Sequence, residues 1–172
     1  MPPEKIKLIT YCVDTEMFYP IPKKDNVFRV IYVGALSIRK GIPYLLEAFE
    51  SLNIPRAELW LVGSLLSEIK PFLKKLEGKF HHFGIIQRKD LYKYYSQASV
   101  FVLASLEEGL ALVQLQAMAC GIPVIATEHT GAENIFLNEQ EGFIVPIRNS
   151  RAIREKLEFL YEQPEVLNTM SK

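Results

Sequence analysis

The sequence predicts a doubly wound α/β fold, a Rossmann-like parallel sheet of about six strands with helices on both faces. Two observations predict it. Short β-branched or aromatic runs bounded by Gly, Pro or Ser alternate along the chain with stretches of helical period. Several of those runs are apolar on both faces, as strands are when helices cover a parallel sheet on either side.

The strand-like runs are residues 27–34 (VFRVIYVG), 57–63 (AELWLVG), 80–84 (FHHFG), 100–105 (VFVLAS), 123–127 (PVIAT) and 142–146 (GFIVP). Between them, Ile42, Leu45, Leu46, Phe49 and Leu52 fall on one helical stripe. Leu91, Tyr94, Tyr95 and Ala98 form a second stripe, and Ile153, Leu157, Leu160 and Tyr161 a third. Leu66, Ile69, Leu73 and Leu76 follow the same period, but Pro71 interrupts them, so a helix there either starts near the proline or bends at it. Residues 1–26 carry four of the ten prolines and one apolar run, 6–11. They read as a strand-like lead-in followed by a linker, with the folded domain spanning 27–172.

Bulk properties narrow the function. A chain of 172 residues suits one domain with a substantial core. Apolar residues make up 49%, charged residues 23%, and the formal net charge is zero. No general electrostatic attraction to nucleic acid or to an anionic membrane is expected. Cys12 and Cys120 match no metal or redox spacing and read as reduced thiols of a cytoplasmic protein. The apolar stretch 110–126 is broken by Gln114, Gln116, Gly121 and Pro123, which suits a helix, a turn and a strand better than a membrane span. Pro2, Pro3, Glu4 and Lys5 stand where a secretory signal has its apolar core.

Ligands of such folds bind beyond the C-terminal ends of the strands, beside helix N-termini. After the first strand, Gly34 allows close backbone approach, and Arg39 and Lys40 stand just before a helix that starts near Gly41. Cations disfavour a helix N-terminus unless an anion lies between them, so a bound phosphate and a solvated basic pair both fit. The dinucleotide and P-loop glycine patterns are absent from the sequence. After the fourth strand come Glu107, Glu108 and Gly109, then a helical stretch through Gln116. Gln116 lies eight residues beyond Glu108, so the two side chains can face one cleft, where a carboxylate and an amide suit sugar hydroxyls. A negatively charged helix start is the plainer account of Glu107 and Glu108, and Gln114 is expected to face solvent. His81, His82, His129 and Glu133 are expected to be ordinary strand, loop and helix-start residues.

These residues carry a resemblance. The patterns Gly-x4-Arg-Lys-Gly at 34–41 and Glu-Gly-x-x-Leu-x3-Gln-Ala-Met-Ala-Cys-Gly-x-Pro-Val-Ile-Ala-Thr at 108–127 resemble the C-terminal domain of glycosyltransferase family 4. Residues 13–20 (VDTEMFYP) look like the segment that precedes that domain. The resemblance implies the nucleotide-sugar half of a retaining GT-B enzyme, with a nucleoside-diphosphate sugar as donor substrate and no metal or other cofactor. By the same resemblance Lys40, helped by Arg39, holds the donor diphosphate, and Glu108 contacts the transferred sugar; these two are the catalytic candidates. Gly34, Gly109 and the amides around Leu110, Ala111 and Leu112 face the diphosphate or sugar. Gln116 stands where the family's second glutamate binds ribose, and Gly84 and Ile85 lie near the nucleobase.

Two positions depart from the pattern: Gln116 replaces a glutamate, and Ala35 stands where many members have an arginine. The resemblance further implies an N-terminal acceptor-binding domain as partner, without which the chain transfers nothing, and is compatible with peripheral membrane association of the longer protein. The competing readings are an inactive regulatory or scaffold relative, marked by Ala35 and Gln116, and a nucleotide-sugar epimerase. A dinucleotide oxidoreductase ranks last for want of its glycine fingerprint.

Overall fold

In the computed structural model, which describes residues 11–76 and 78–171, the apolar runs become strands β1 (Arg29–Val33), β2 (Glu58–Val62), β3 (Phe80–His82), β4 (Val100–Leu103), β5 (Val124–Thr127) and β6 (Gly142–Val145). They form one sheet in the order β3-β2-β1-β4-β5-β6. Every pairing is parallel, the Rossmann arrangement that the alternation predicts. β1 and β4 are central and buried along their whole length, as runs without a polar face must be.

Helices α1 (Ile42–Glu50), α2 (Lys70–Leu73), α3 (Leu91–Tyr95), α4 (Leu112–Ala119), α5 (Ser150–Glu162) and α6 (Pro164–Met170) fill the crossovers and the C-terminal stretch. α1 packs against α2 and α5, and α3 against α4, giving a layer on each face. α5 buries Ile153, Leu157 and Leu160 as one stripe. Its first turn is capped by Asn149, whose Oδ1 accepts from the Ala152 amide at 2.9 Å, an interaction worth about 1 kcal/mol. Pro71 sits in the first turn of α2, after a tight turn at Ser67–Ile69. There its missing N–H costs nothing, so the proline starts the helix and does not bend it. The apolar stretch 110–126 resolves into α4, a turn and β5. Among the described residues no helix is long and apolar enough to cross a membrane.

Most of the proposed strand-like lead-in, residues 6–10, lies outside the described residues. The rest of the N-terminal segment docks on the domain through polar contacts at the end of α3. Asp14 closes a turn by accepting from the amides of Glu16 and Met17. That turn presents Phe18, which is fully buried and lies edge-on to Tyr95 at 6.3 Å. The Ile21 amide donates to Ser96 Oγ and the Lys24 amide to Gln97 Oε1. Lys23 Nζ donates to Val27 O and Ser99 Oγ. Arg29, at the start of β1, bridges Asp25 and Glu58 and lies 4.9 Å from the Trp60 ring. Its guanidinium holds the Asp25 carboxyl down at about 2.

The strand order matters most for what it leaves open. From β1 the chain crosses towards β2, and from β4 towards β5, so the loops leaving these two neighbouring strands turn away from each other. A crevice opens between them at the C-terminal end of the sheet.

Candidate functional site

The crevice is built from the loop after β1, residues 34–41, and the loop after β4, residues 104–111. The Leu106 amide donates to Arg39 O at 2.9 Å, and Arg39 Nη1 reaches Glu107 O at 3.4 Å. Between these backbone contacts lies an ion pair, Lys40 Nζ to Glu108 Oε1. The same oxygen accepts from Ser105 Oγ at 3.1 Å. Both charged side chains are sheltered but not sealed, with 21% and 14% exposure. Beneath Glu108 the Tyr32 phenol is fully buried; burial, and then the nearby carboxylate, push its ionisation up.

One glycine lets the two loops approach. Gly41 caps α1 in a left-handed conformation at φ 68°, and a Cβ there would lie 1.7 Å from the Ala104 carbonyl oxygen. α1 has no acidic residue in its first turn. The anion at that end of the site is Glu108, supplied by the neighbouring loop, and this accounts for a lysine placed before a helix start.

A third loop, after β5, braces the second. His129 O accepts from the Glu108 amide at 2.7 Å, and Thr130 O accepts from the Ala111 amide at 3.4 Å and from Gln114 Nε2 at 3.0 Å. Thr130 Oγ1 donates to Thr127 O, and Thr127 Oγ1 donates to Ser105 O. Gly131, at φ 73°, lets this loop close on Gly109 and Leu110, where a Cβ would come within 2.7 Å of the Leu110 side chain. With the Glu108 and Ala111 amides committed, those of Gly109 and Leu110 donate to no described group. In the first turn of α4 the Gln114 amide donates to Ala111 O at 3.1 Å, while those of Leu112 and Val113 have no described acceptor. The site therefore offers a sheltered cation, a carboxylate and N–H groups without a described acceptor on one loop, which suits an anionic ligand that also carries hydroxyls.

The structure brings Arg39, Lys40, Glu108, Gly109 and Leu110 together, and Leu112 stands exposed at the start of α4. Gly34 lies at the base of the crevice, but its amide donates to Val62 O at 2.9 Å and is not free for a ligand. The Ala111 amide is likewise taken. Gly84 and Ile85 lie beyond β3, two strands from β1; Gly84 O accepts from the Gly63 amide at 2.7 Å and Ile85 is 79% exposed. No hydrogen bond joins Gln116 to Glu108. Gln116 Oε1 accepts from the buried Tyr95 hydroxyl at 3.3 Å, and only 8% of the residue is exposed.

Gln114 corrects an expectation: it is fully buried, not solvent-facing. The β5 loop covers that face of α4 and takes the amide as a brace, which helical period alone does not reveal. Ser105, Thr127 and Thr130 also brace the site; Thr127 closes the motif at 108–127 without a role there, and the trace of Ser105 and Thr130 in sequence is a hydroxyl near a strand end. Glu133 belongs to a short turn, Ala132–Asn134, and not to a full helix. His81 and His82 are exposed on the edge strand. Among the described residues no three His, Cys, Asp or Glu side chains group as a metal site needs. A cavity of 510 Å³ opens at the opposite, N-terminal edge of the sheet, lined among others by Lys23, Ser99, Cys120 and Tyr161. Burial holds its Cys120 thiol up at about 12, in the unreactive form.

The fold and the place of this cluster define the class: a Rossmann-like α/β domain of the kind found in GT-B glycosyltransferases. The chain belongs to the family described as glycosyl transferases group 1, which it matches over residues 14–172. It is 30% identical over 151 residues to the capsular polysaccharide biosynthesis glycosyltransferase CapM of Staphylococcus aureus, covering 85% of this chain and 40% of CapM. Among solved structures it is similar to the sucrose-phosphate synthase of Thermosynechococcus elongatus, with 29% identity and a TM-score of 0.85 over 96% of this chain and 46% of that one. The fold is shared with Anabaena HepE, solved in complex with UDP-glucose, at 22% identity and a TM-score of 0.83 over 96% of this chain and 50% of that one. The chain thus spans less than half the length of CapM and of the synthase.

Proposed function

We propose that this chain is the donor half of a retaining glycosyltransferase of family 4, which binds a nucleoside-diphosphate sugar and transfers its hexosyl group to an acceptor hydroxyl. The observation that carries the reading is the Lys40–Glu108 pair beside the open amides of Gly109 and Leu110 at the crevice between β1 and β4. In this reading Lys40 exchanges Glu108 for the donor diphosphate, aided by Arg39, and stabilises the charge that develops there as the glycosidic bond breaks. Glu108 meets the hydroxyls of the transferred sugar. Amides and cations supply the electrostatic work, so no metal is required. Gly84 and Ile85 border the base end, and Gln116 the ribose.

Exposed Ile38, Leu66, Ile85 and Leu112 rim the same end of the sheet, where an N-terminal acceptor-binding domain closes the site. The UDP-glucose complex of HepE and the synthase likeness support a nucleotide-sugar donor. A cytoplasmic protein, peripheral to a membrane in its longer form, is part of the same proposal. The second reading, an inactive relative with a scaffold role, is favoured by Gln116, whose carbonyl is committed to Tyr95.

Calorimetric titration with UDP, GDP and ADP tests the first reading. One nucleotide is expected to bind in the micromolar-to-millimolar range, with roughly tenfold or greater loss in Lys40→Ala. Binding that is indifferent to Lys40 contradicts the site. Absence of binding both here and in a longer protein containing the N-terminal half supports the inactive relative.

A further inference from the structure

Glu108 is held in an uneven way. Both of its side-chain donors, Lys40 Nζ and Ser105 Oγ, reach Oε1, and no described group donates to Oε2. The two donors differ in kind. Lys40 sits on a flexible stem, is partly exposed, and is the natural partner of any anion that enters the crevice. Ser105 is fully buried at the end of β4. Its backbone is fixed independently, because its carbonyl accepts from Thr127 Oγ1 on the adjacent strand β5. An anionic ligand can draw Lys40 away from Glu108, but it leaves Ser105 where it is.

We propose that Ser105 is a positioning residue for Glu108: its hydroxyl anchors Oε1 so that Oε2 stays free for a sugar hydroxyl, and it becomes the sole side-chain anchor once Lys40 moves to a diphosphate. This deepens the reading of Glu108 as the sugar-contacting carboxylate and rests on it. The chemistry follows from hydrogen-bond capacity. An ionised carboxylate only accepts, so an unanchored one rotates among donors, including the lysine it must release. With one oxygen pinned, the other is presented in a fixed direction, and the ordering cost is met before the ligand arrives.

The test is a double-mutant cycle read as a ratio of affinities. Wild type, Ser105→Ala, Glu108→Ala and the double variant are titrated with UDP and UDP-glucose, GDP and GDP-mannose, and ADP and ADP-glucose, and the pair whose nucleotide binds is used. In Ser105→Ala the affinity for the nucleoside diphosphate is expected to hold, while the ratio of sugar-nucleotide to nucleotide affinity falls roughly fivefold to tenfold. In the Glu108→Ala background, Ser105→Ala changes the ratio no further. A merely structural serine would lower both affinities together, or lower the ratio equally with and without Glu108; either result overturns the proposal. Ser105→Thr keeps the hydroxyl and restores the ratio, which guards against an effect of folding. If no nucleotide binds either to the wild type or to a longer protein containing the N-terminal half, the underlying donor-site reading fails, an outcome distinct from loss of the Ser105 effect alone.

Discussion

Gly41→Ala is expected to lower the stability of the chain by about 3 kcal/mol or more. Two costs add. An L side chain at φ 68° is strained, and the new Cβ would stand 1.7 Å from the Ala104 carbonyl oxygen, a backbone atom that cannot rotate aside. Relief requires the loops after β1 and β4 to separate, which also breaks the bond from the Leu106 amide to Arg39 O and pulls Lys40 from Glu108. Gly109→Ala is the matched control, since a Cβ there meets nothing within 4 Å. Urea unfolding of the two variants measures the difference. A Gly41→Ala midpoint equal to that of Gly109→Ala would show that the loops are not packed as described.

Removing Glu108 and removing Lys40 should move nucleotide affinity in opposite directions. In the free chain the lysine is occupied by Glu108, a half-sheltered pair worth about 1 kcal/mol. A diphosphate has to displace that carboxylate and then bind beside its negative charge. Glu108→Ala removes both costs, so the nucleoside diphosphate is expected to bind roughly threefold to tenfold more tightly. Lys40→Ala leaves an uncompensated carboxylate facing the phosphates and is expected to weaken binding roughly tenfold to a hundredfold. Isothermal titration of the two variants decides it. Weaker binding in Glu108→Ala would mean that the carboxylate helps hold the nucleotide and does not compete for its cation.

The sheet was legible in the sequence because its signal is local. Runs such as VIYV and VFVL have no polar face, and only a strand covered on both sides accommodates them. Strand order followed from alternation and the handedness of crossovers, which are rules of chain geometry and not of particular residues. Lys40 was legible because a cation beside a helix start needs a reason, whereas Glu108 and Gly109 stood out only through the motif at 108–127. The ion pair itself was not legible, since Lys40 and Glu108 are 68 residues apart and meet only through the adjacency of β1 and β4.

Gln114 shows the limit of helical period. The period gives the face of α4 on which a residue sits, but what covers that face belongs to the β5 loop. Ser105 and Thr130 are invisible for a related reason: a small hydroxyl near a strand end is common, and its role depends on which group lies opposite. The docking of the N-terminal segment escaped notice in the same way. Proline-rich composition reads as linker, while the contacts that bind residues 21–24 come from Ser96, Gln97 and Ser99, more than seventy positions away.

In the proposed reading the crevice between β1 and β4 holds a nucleoside diphosphate through Lys40. A crystal structure of the chain grown with whichever of UDP, GDP and ADP binds tests it most directly. A diphosphate is expected against the amides of Gly109 and Leu110, with Lys40 Nζ moved from Glu108 to within roughly 3 Å of a phosphate oxygen and the base towards Gly84. A nucleotide seated in the cavity at the N-terminal edge of the sheet, or one bound while Lys40 remains on Glu108, would contradict it.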